Sequence, residues 1–260
     1  MYPGGNGKSL ILLTGLALAA QAAMPGSIAA NSCANVDAQV AQGKLQLKQG
    51  KLDNAISTLS KAAQVLGTKP GSCDCHYNLG MALCKKAKVD LTDKSKSTTE
   101  FLSAKKELRT AVRVGQGNAI AKAANQYMMS NVPQVYLSPK NGEGTEMIAA
   151  RLGLRSSDRG VGGAPARGKV FEFYADWCEP CKELKPVLAK VKQEYGDQVD
   201  VQSINVDDKN NAELVDQYDV SPIPTVIFMN PDGQVVGYSV GYAGEKSVEK
   251  EIQKILPNKS

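Results

Sequence analysis

The chain has a single histidine, His76, in 260 residues. It carries one Cys-x-x-Cys pair, Cys178 and Cys181, with no second such pair near it. Zinc sites take several nitrogen or sulfur ligands, so this pair does not read as half of one, and no metal site is assigned. Lysines are scattered rather than clustered, so the net charge of +5 and the pI of about 8.8 leave no nucleic-acid footprint. The apolar run at residues 10–23 falls short of the roughly 20 residues that span a bilayer. With 42% hydrophobic and 22% charged residues, neither general disorder nor a polytopic membrane protein fits.

No acidic residue precedes Asp37, and Lys8 gives the apolar run a positive flank. Ala20-Gln21-Ala22 is a small-x-small cleavage signal, and Ser27-Ile28-Ala29-Ala30 offers a second. Residues 1–30 therefore read as a secretory signal, cleaved in preference to being kept as a membrane anchor. Cleavage removes Lys8 and leaves a net charge of +4. A lipoprotein signal is disfavoured, because Ala30-Asn31-Ser32 precedes Cys33 without an aliphatic residue. The glycines at 4, 5 and 7 argue against a buried helix. Export makes disulfides permissible among the six cysteines at 33, 73, 75, 84, 178 and 181.

Residues 31–137 read as helical, with Ala, Leu, Lys and Gln at helical spacing. An internal echo is visible: Ala55, Leu59 and Ala62 share the spacing of Ala104, Leu108 and Ala111. Gly43 and Gly50 precede the first set, and Gly80 precedes the second. Small residues there let antiparallel helices approach closely, while Leu fills the gap. These positions resemble the small positions of tetratricopeptide repeats over about residues 37–114. That resemblance implies a helical-hairpin domain with a docking face for partners; the alternative is a plain bundle that recognises nothing. The polar stretch at 88–100 is expected to lengthen the second hairpin's turn, and residues 118–130 to add a capping helix before Pro133. Residues 138–168, with Asn141-Gly142 and Gly162-Gly163, read as a linker holding one short helix at 147–154 and letting the flanking domains move.

From 169 to 257 strands alternate with helices. Strands are expected at 170–174, 199–206, 225–229 and 234–240, and helices at 179–195, 210–218 and 246–256. This order implies an α/β layer, a central mixed sheet flanked by helices. Pro231-Asp232-Gly233 adds a tight hairpin at one edge.

Cys178 and Cys181 sit where the first strand passes into its helix. The unpaired N–H groups and the dipole of the helix start favour negative charge, so Cys178 is the expected attacking thiolate. Cys181, a turn deeper, would resolve the mixed disulfide. Pro180 suits the first turn because its missing N–H goes unused there.

The segment Phe173-Tyr174-Ala175-Asp176-Trp177-Cys178-Glu179-Pro180-Cys181-Lys182 resembles the active-site segment of thioredoxins. Pro186 is similar to the proline of that family's active-site helix, Ile223-Pro224-Thr225 to its cis-proline loop, and Gly233 and Gly241 to two late glycines. The distance from Cys178 to Pro224 leaves no room for the insert of many periplasmic cytochrome-maturation reductases. The resemblance implies a thioredoxin-like fold for about ninety C-terminal residues. It implies that Cys178 and Cys181 form a redox-active disulfide, that Pro224 shapes the loop beside it, and that Ile223 pairs with an extended substrate. Trp177, Pro180 and Ile223 are the substrate-facing candidates. Glu172 falls on the family's buried acid, which takes the proton from Cys181. The lysine that accompanies this acid would fall at Ser203, so its electrostatic partner is open.

Glu179 opposes the Cys178 thiolate and hints at a reductase or isomerase. Residues 172–184 are most similar to lumen-facing thioredoxin-like proteins of cyanobacteria and chloroplasts that serve cytochrome assembly. Similarities to protein disulfide isomerase domains and to bacterial transmembrane thiol reductants leave the partners open. The expected function is that of an exported thiol–disulfide oxidoreductase that reduces protein disulfides, fed by an upstream thiol donor and needing no bound cofactor. The alternatives are a repeat-based binding scaffold with a thioredoxin-fold clamp, or a disulfide oxidase or isomerase. Cys33, Cys73, Cys75 and Cys84 are expected to form two structural disulfides, with Cys73 and Cys75 each pairing outward, one to Cys33 and one to Cys84. A Cys73-Cys75-His76-Cys84 metal cluster and internal exchange with Cys178 are the other readings of these thiols.

Overall fold

A computed structural model describes residues 25–137 and 167–256, with side chains from Asn35 onward. The first 24 residues of the expected signal, the short helix expected at 147–154 and nearly all of the expected linker lie outside the described residues. The chain divides into two units, 1–35 and 36–260, and the contacts described below fall in the second.

The N-terminal region is all helical: α1 (Pro25–Lys48), α2 (Leu52–Leu66), α3 (Cys73–Val89), α4 (Lys94–Gly115), α5 (Ala119–Asn131) and α6 (Gln134–Leu137). The repeated small-residue pattern has a geometric cause. A Cβ on Gly43 would lie 2.5 Å from Leu59 Cγ, and one on Gly80 would lie 2.6 Å from Leu108 Cγ. In each pair a glycine on one helix receives a fully buried leucine from the other, so the backbones close to a distance that no larger residue permits. Phe101, Leu108, Met128 and Leu137 complete this core, with the Phe101 and Tyr136 rings stacked 5.3 Å apart.

The polar stretch at 88–100 is not a long turn. Asp93 caps α4 by accepting from Ser95 N and Lys96 N, both at 3.1 Å, so the helix starts at Lys94. Ser97 is buried and bonds back to Ala87 O at 3.0 Å, which draws the start of α4 against α3.

The structural disulfides expected at Cys73, Cys75 and Cys84 are corrected. All three lie on α3 as buried free thiols. At about 1.5 Å of rise per residue, Cys84 stands roughly 13 Å or more along the axis from the other two, beyond the ~7 Å that a disulfide bridges. The thiols donate instead to Ala111 O, Leu59 O and Asn131 O. Burial raises all three pKa values; that of Cys75, with added repulsion from Glu107 and Asp74, is pushed up to about 12. Such thiols are poor nucleophiles. His76 is engaged at both ring nitrogens, by Glu107 at 2.6 Å and Gly67 O at 2.8 Å. The Cys33 side chain lies outside the described residues.

The C-terminal region comprises β1 (Gly168–Tyr174), α7 (Glu179–Tyr195), β2 (Val199–Asn205), a 3₁₀ turn (Lys209–Asn211), α8 (Ala212–Gln217), β3 (Thr225–Met229), β4 (Val235–Val240) and α9 (Glu245–Ile255). The sheet order is β2-β1-β3-β4, with β1 parallel to β2 and antiparallel to β3, and β3 antiparallel to β4. This is the expected mixed sheet flanked by helices. Val170, Val226 and Phe228 pack with residues of α7 and α9, while Phe171, Phe173, Ile227 and Met229 pack with Tyr218 and Val220 after α8. Gly233 turns the β3–β4 hairpin with φ +82°, and Asn230 Oδ1 accepts from Gln234 N at 2.8 Å.

Gly80→Ala tests the close approach of α3 and α4. Its new Cβ would also stand 3.2 Å from the Leu108 backbone nitrogen, which cannot swing aside. A loss of about 1–3 kcal/mol is expected, read as a lower urea midpoint at unchanged slope. An unchanged midpoint would mean that the helices separate freely.

Candidate functional site

β1 delivers the chain to the site. After Tyr174 a short turn leads to Cys178, which is the N-cap of α7 with extended backbone, φ −86° and ψ 106°. Cys178 and Cys181 are joined in a disulfide. They are 2% and 3% exposed, and Cys178 Sγ accepts from Cys181 N at 3.3 Å. The sulfur that would bear negative charge after reduction thus faces the free N–H groups of a helix start. Pro180 occupies the first turn, as its missing donor allows.

Glu172 is 4% exposed on the sheet face covered by α7 and α9. Burial pushes its carboxyl above the usual carboxylate range, opposed by a hydrogen bond from Ser203 and the charge of Lys185. Ser203 Oγ donates to Glu172 Oε2 at 2.7 Å, and the two residues stand in register across β1 and β2. Where the resembling family has a lysine, this chain has a neutral donor. The positive charge comes from Lys185 on α7, one turn past Cys181. Sequence reasoning missed Lys185, although its i+4 spacing from Cys181 places both on one helix face.

Glu179 is exposed and ion-paired with Lys182 at 2.7 Å, which holds its carboxyl below the usual range. Its charge is therefore compensated and screened, and the expected opposition to the Cys178 thiolate weakens.

Trp177 and Ile223 have neighbours that the sequence did not announce. The Trp177 Nε1–H donates to Asp207 Oδ2 at 2.7 Å, and its ring packs against both the helical core and the C-terminal core. Gly117, at φ +79° between α4 and α5, lies so close to that ring that a Cβ would collide with it. The Ser221–Pro222 and Ile223–Pro224 peptide bonds are both cis. Ile223, expected to face substrate, is instead 3% exposed and held by Asn125 of α5. Asn125 Oδ1 accepts from Ile223 N at 2.9 Å, and Asn125 Nδ2 donates to Ile223 O at 2.8 Å.

The same loop is gripped at every second residue. Asp219 accepts from Lys105 Nζ at 2.8 Å and Arg109 Nη1 at 2.9 Å. Ser221 Oγ lies 3.0 Å from Met128 Sδ. Arg109 also binds Asp216 and Val215 O. A cavity of about 210 Å³ remains beside this contact, walled by Arg113, Gln116 and Val206 among others. The helical region thus packs on the C-terminal region across the loop that carries Pro224.

The raised carboxyl makes stability depend on pH. Between the ordinary carboxylate value and the raised value of Glu172, the folded chain holds a proton that the unfolded chain has released. The contribution of this group is therefore full below the ordinary value and is lost as pH rises through the raised one. Urea midpoints of the wild type should fall across that window relative to Glu172→Gln; parallel curves would show that Glu172 titrates normally.

The thioredoxin family model matches residues 164–254. Thioredoxin of Bacillus subtilis is 35% identical over 104 residues, 40% of this chain and 97% of the relative. The chloroplastic thioredoxin-like protein HCF164 of Arabidopsis thaliana is 34% identical over 90 residues, 35% of this chain and 34% of the relative. The thiol:disulfide interchange protein TxlA of Synechococcus elongatus is 38% identical over 93 residues, 35% of this chain and 48% of the relative. The chain thus spans nearly the whole of the bacterial thioredoxin and less than half of the two longer relatives. With a cysteine pair at a helix start, a buried acid on the neighbouring strand and this likeness together, the chain belongs to the thioredoxin family of thiol–disulfide oxidoreductases.

Proposed function

We propose that this chain is an exported protein-disulfide reductase. The observation that carries the dithiol exchange is Glu172, a buried acid on the sheet beneath the helix that bears Cys181, and the likeness to thioredoxin supports the reductive direction. In reduction the Cys178 thiolate attacks one sulfur of a partner's disulfide, forms a mixed disulfide and expels the other sulfur as a thiolate. Glu172 then takes the proton of Cys181, which attacks Cys178 Sγ and releases the partner's second thiol. Two electrons pass to the partner, and Cys178–Cys181 is left as the disulfide. By microscopic reversibility the same carboxyl serves this resolving step as base and its reverse as acid. An upstream thiol donor returns the pair to its reduced form.

Export rests on the apolar run and small-residue cleavage motif near the N-terminus. Among the described residues no helix is long and apolar enough to cross a membrane. Partner docking falls to α1–α3, since α4 and α5 are engaged with the C-terminal region.

Cys178→Ser is expected to abolish reduction of insulin disulfides by dithiothreitol. Cys181→Ser should instead accumulate mixed disulfides with partner proteins, seen as adducts on non-reducing gels. Absence of adducts would reverse the order of attack, and a wild type unable to reduce insulin would favour a binding scaffold. Equilibration of the full chain with glutathione should place the pair near the roughly −270 mV of thioredoxin; a value near −120 mV would make it an oxidant.

A further inference from the structure

The helical region meets the C-terminal region at the backbone groups that an extended substrate would need. Asn125 is 4% exposed and spends its carboxamide on one residue, accepting from Ile223 N and donating to Ile223 O. A carboxamide presents an acceptor and a donor side by side, as a peptide unit does. A strand-like partner pairing with Ile223 makes the same two bonds. Ile223 has a single N–H, so Asn125 and a partner's carbonyl compete for it.

The surrounding contacts hold this mimic in place. Lys105, 4% exposed at its side chain, and Arg109 stand one turn apart on α4 and converge on Asp219. Arg109 reaches Asp216 as well, and Arg113 lies 3.6 Å from the same carboxylate. On the other flank, Gly117 seats the ring of Trp177, the residue next to Cys178. Both neighbours of the disulfide, the Trp177 turn and the Pro224 loop, therefore lie under α4 and α5. The disulfide itself is almost fully buried.

We infer that α5 is a resident substrate mimic: Asn125 closes the Ile223 pairing site, and the Lys105–Arg109–Asp216–Asp219 cluster latches it shut. This inference rests on the reading of Cys178 and Cys181 as an exchanging dithiol. It deepens that reading by naming what a substrate must do. The partner is an extended polypeptide segment that displaces Asn125 from Ile223, and a partner that cannot lift α5 is excluded. A structural asparagine that merely satisfies a buried loop would leave access to Cys178 unchanged when the latch is weakened.

The test uses the full chain, reduced with dithiothreitol, desalted and pulsed with iodoacetamide, with modification of the Cys178 peptide followed by mass spectrometry. Arg109→Gln removes the latch from a partly exposed site, and Asn125→Ala removes the mimic. Each should speed Cys178 alkylation by about tenfold, because charge-assisted and buried hydrogen bonds hold the closed form. Added salt should speed the wild type more than Arg109→Gln, because the variant loses the partly exposed arginine pairs and keeps mainly the nearly buried Lys105–Asp219 pair, which salt screens less. If Asn125→Ala fails to fold, Arg109→Gln and the salt series decide. Wild-type alkylation rates in a folded Arg109→Gln, with no salt response in the wild type, would overturn the inference. Insulin turnover separates the two readings. Equal turnover and equal alkylation across the variants sink the mimic and leave the reductase. Faster alkylation with no insulin turnover in any variant sinks the reductase and keeps the cover.

Discussion

Strand β1 has β2 on one side, β3 on the other and helices over both faces, so each of its side chains must be apolar or find a partner. Phe171 and Phe173 meet this requirement on one face and Val170 on the other. Glu172 meets it only because Ser203 stands opposite in register and donates to it. Desolvation then does the rest, keeping a proton on the carboxyl at a pH where a surface glutamate has lost its own. The pairing of β1 also sets the position of the thiols. The strand ends at Tyr174, the helix begins at Glu179, and Cys178 is left at the junction where the helix start is unsatisfied.

The loop from Asp219 to Pro224 is the second constraint. Asp219 adopts φ +51°, an uncommon conformation for a residue with a side chain, and two cations meet it there. Lys105 is nearly buried, so its ammonium requires the Asp219 carboxylate rather than merely tolerating it. Asp219, Ser221 and Ile223 each meet a side chain of α4 or α5. The loop that shapes the redox site is thus held from the helical region as well as from its own sheet.

Local features were legible in the sequence because their causes are local. Strand alternation, the turn at Gly233 and the cysteine pair at a helix start all follow from residues within a few positions of one another. The Gly43–Leu59 and Gly80–Leu108 contacts were legible because each leucine sits in the same spacing between two alanines, with a glycine upstream. Asn125 was not, since its partner lies 98 residues away and an asparagine on a helix carries no local mark of its role. The expected bridge to Cys84 failed for a reason the sequence did contain. Cys84 shares one uninterrupted helix with Cys73 and Cys75, and its length separates Cys84 from both. The polar run at 88–100 misled because a capping aspartate and a buried serine look, in composition, like a turn.

The seat of Trp177 on Gly117 links the packing of the two regions. Position 117 lies in a helical connection, yet the room available to it is set by an aromatic ring 60 residues away in another fold. Any side chain added at position 117 must displace the ring that stands beside Cys178, so the volume allowed at a glycine is bounded by a tryptophan it never meets in sequence.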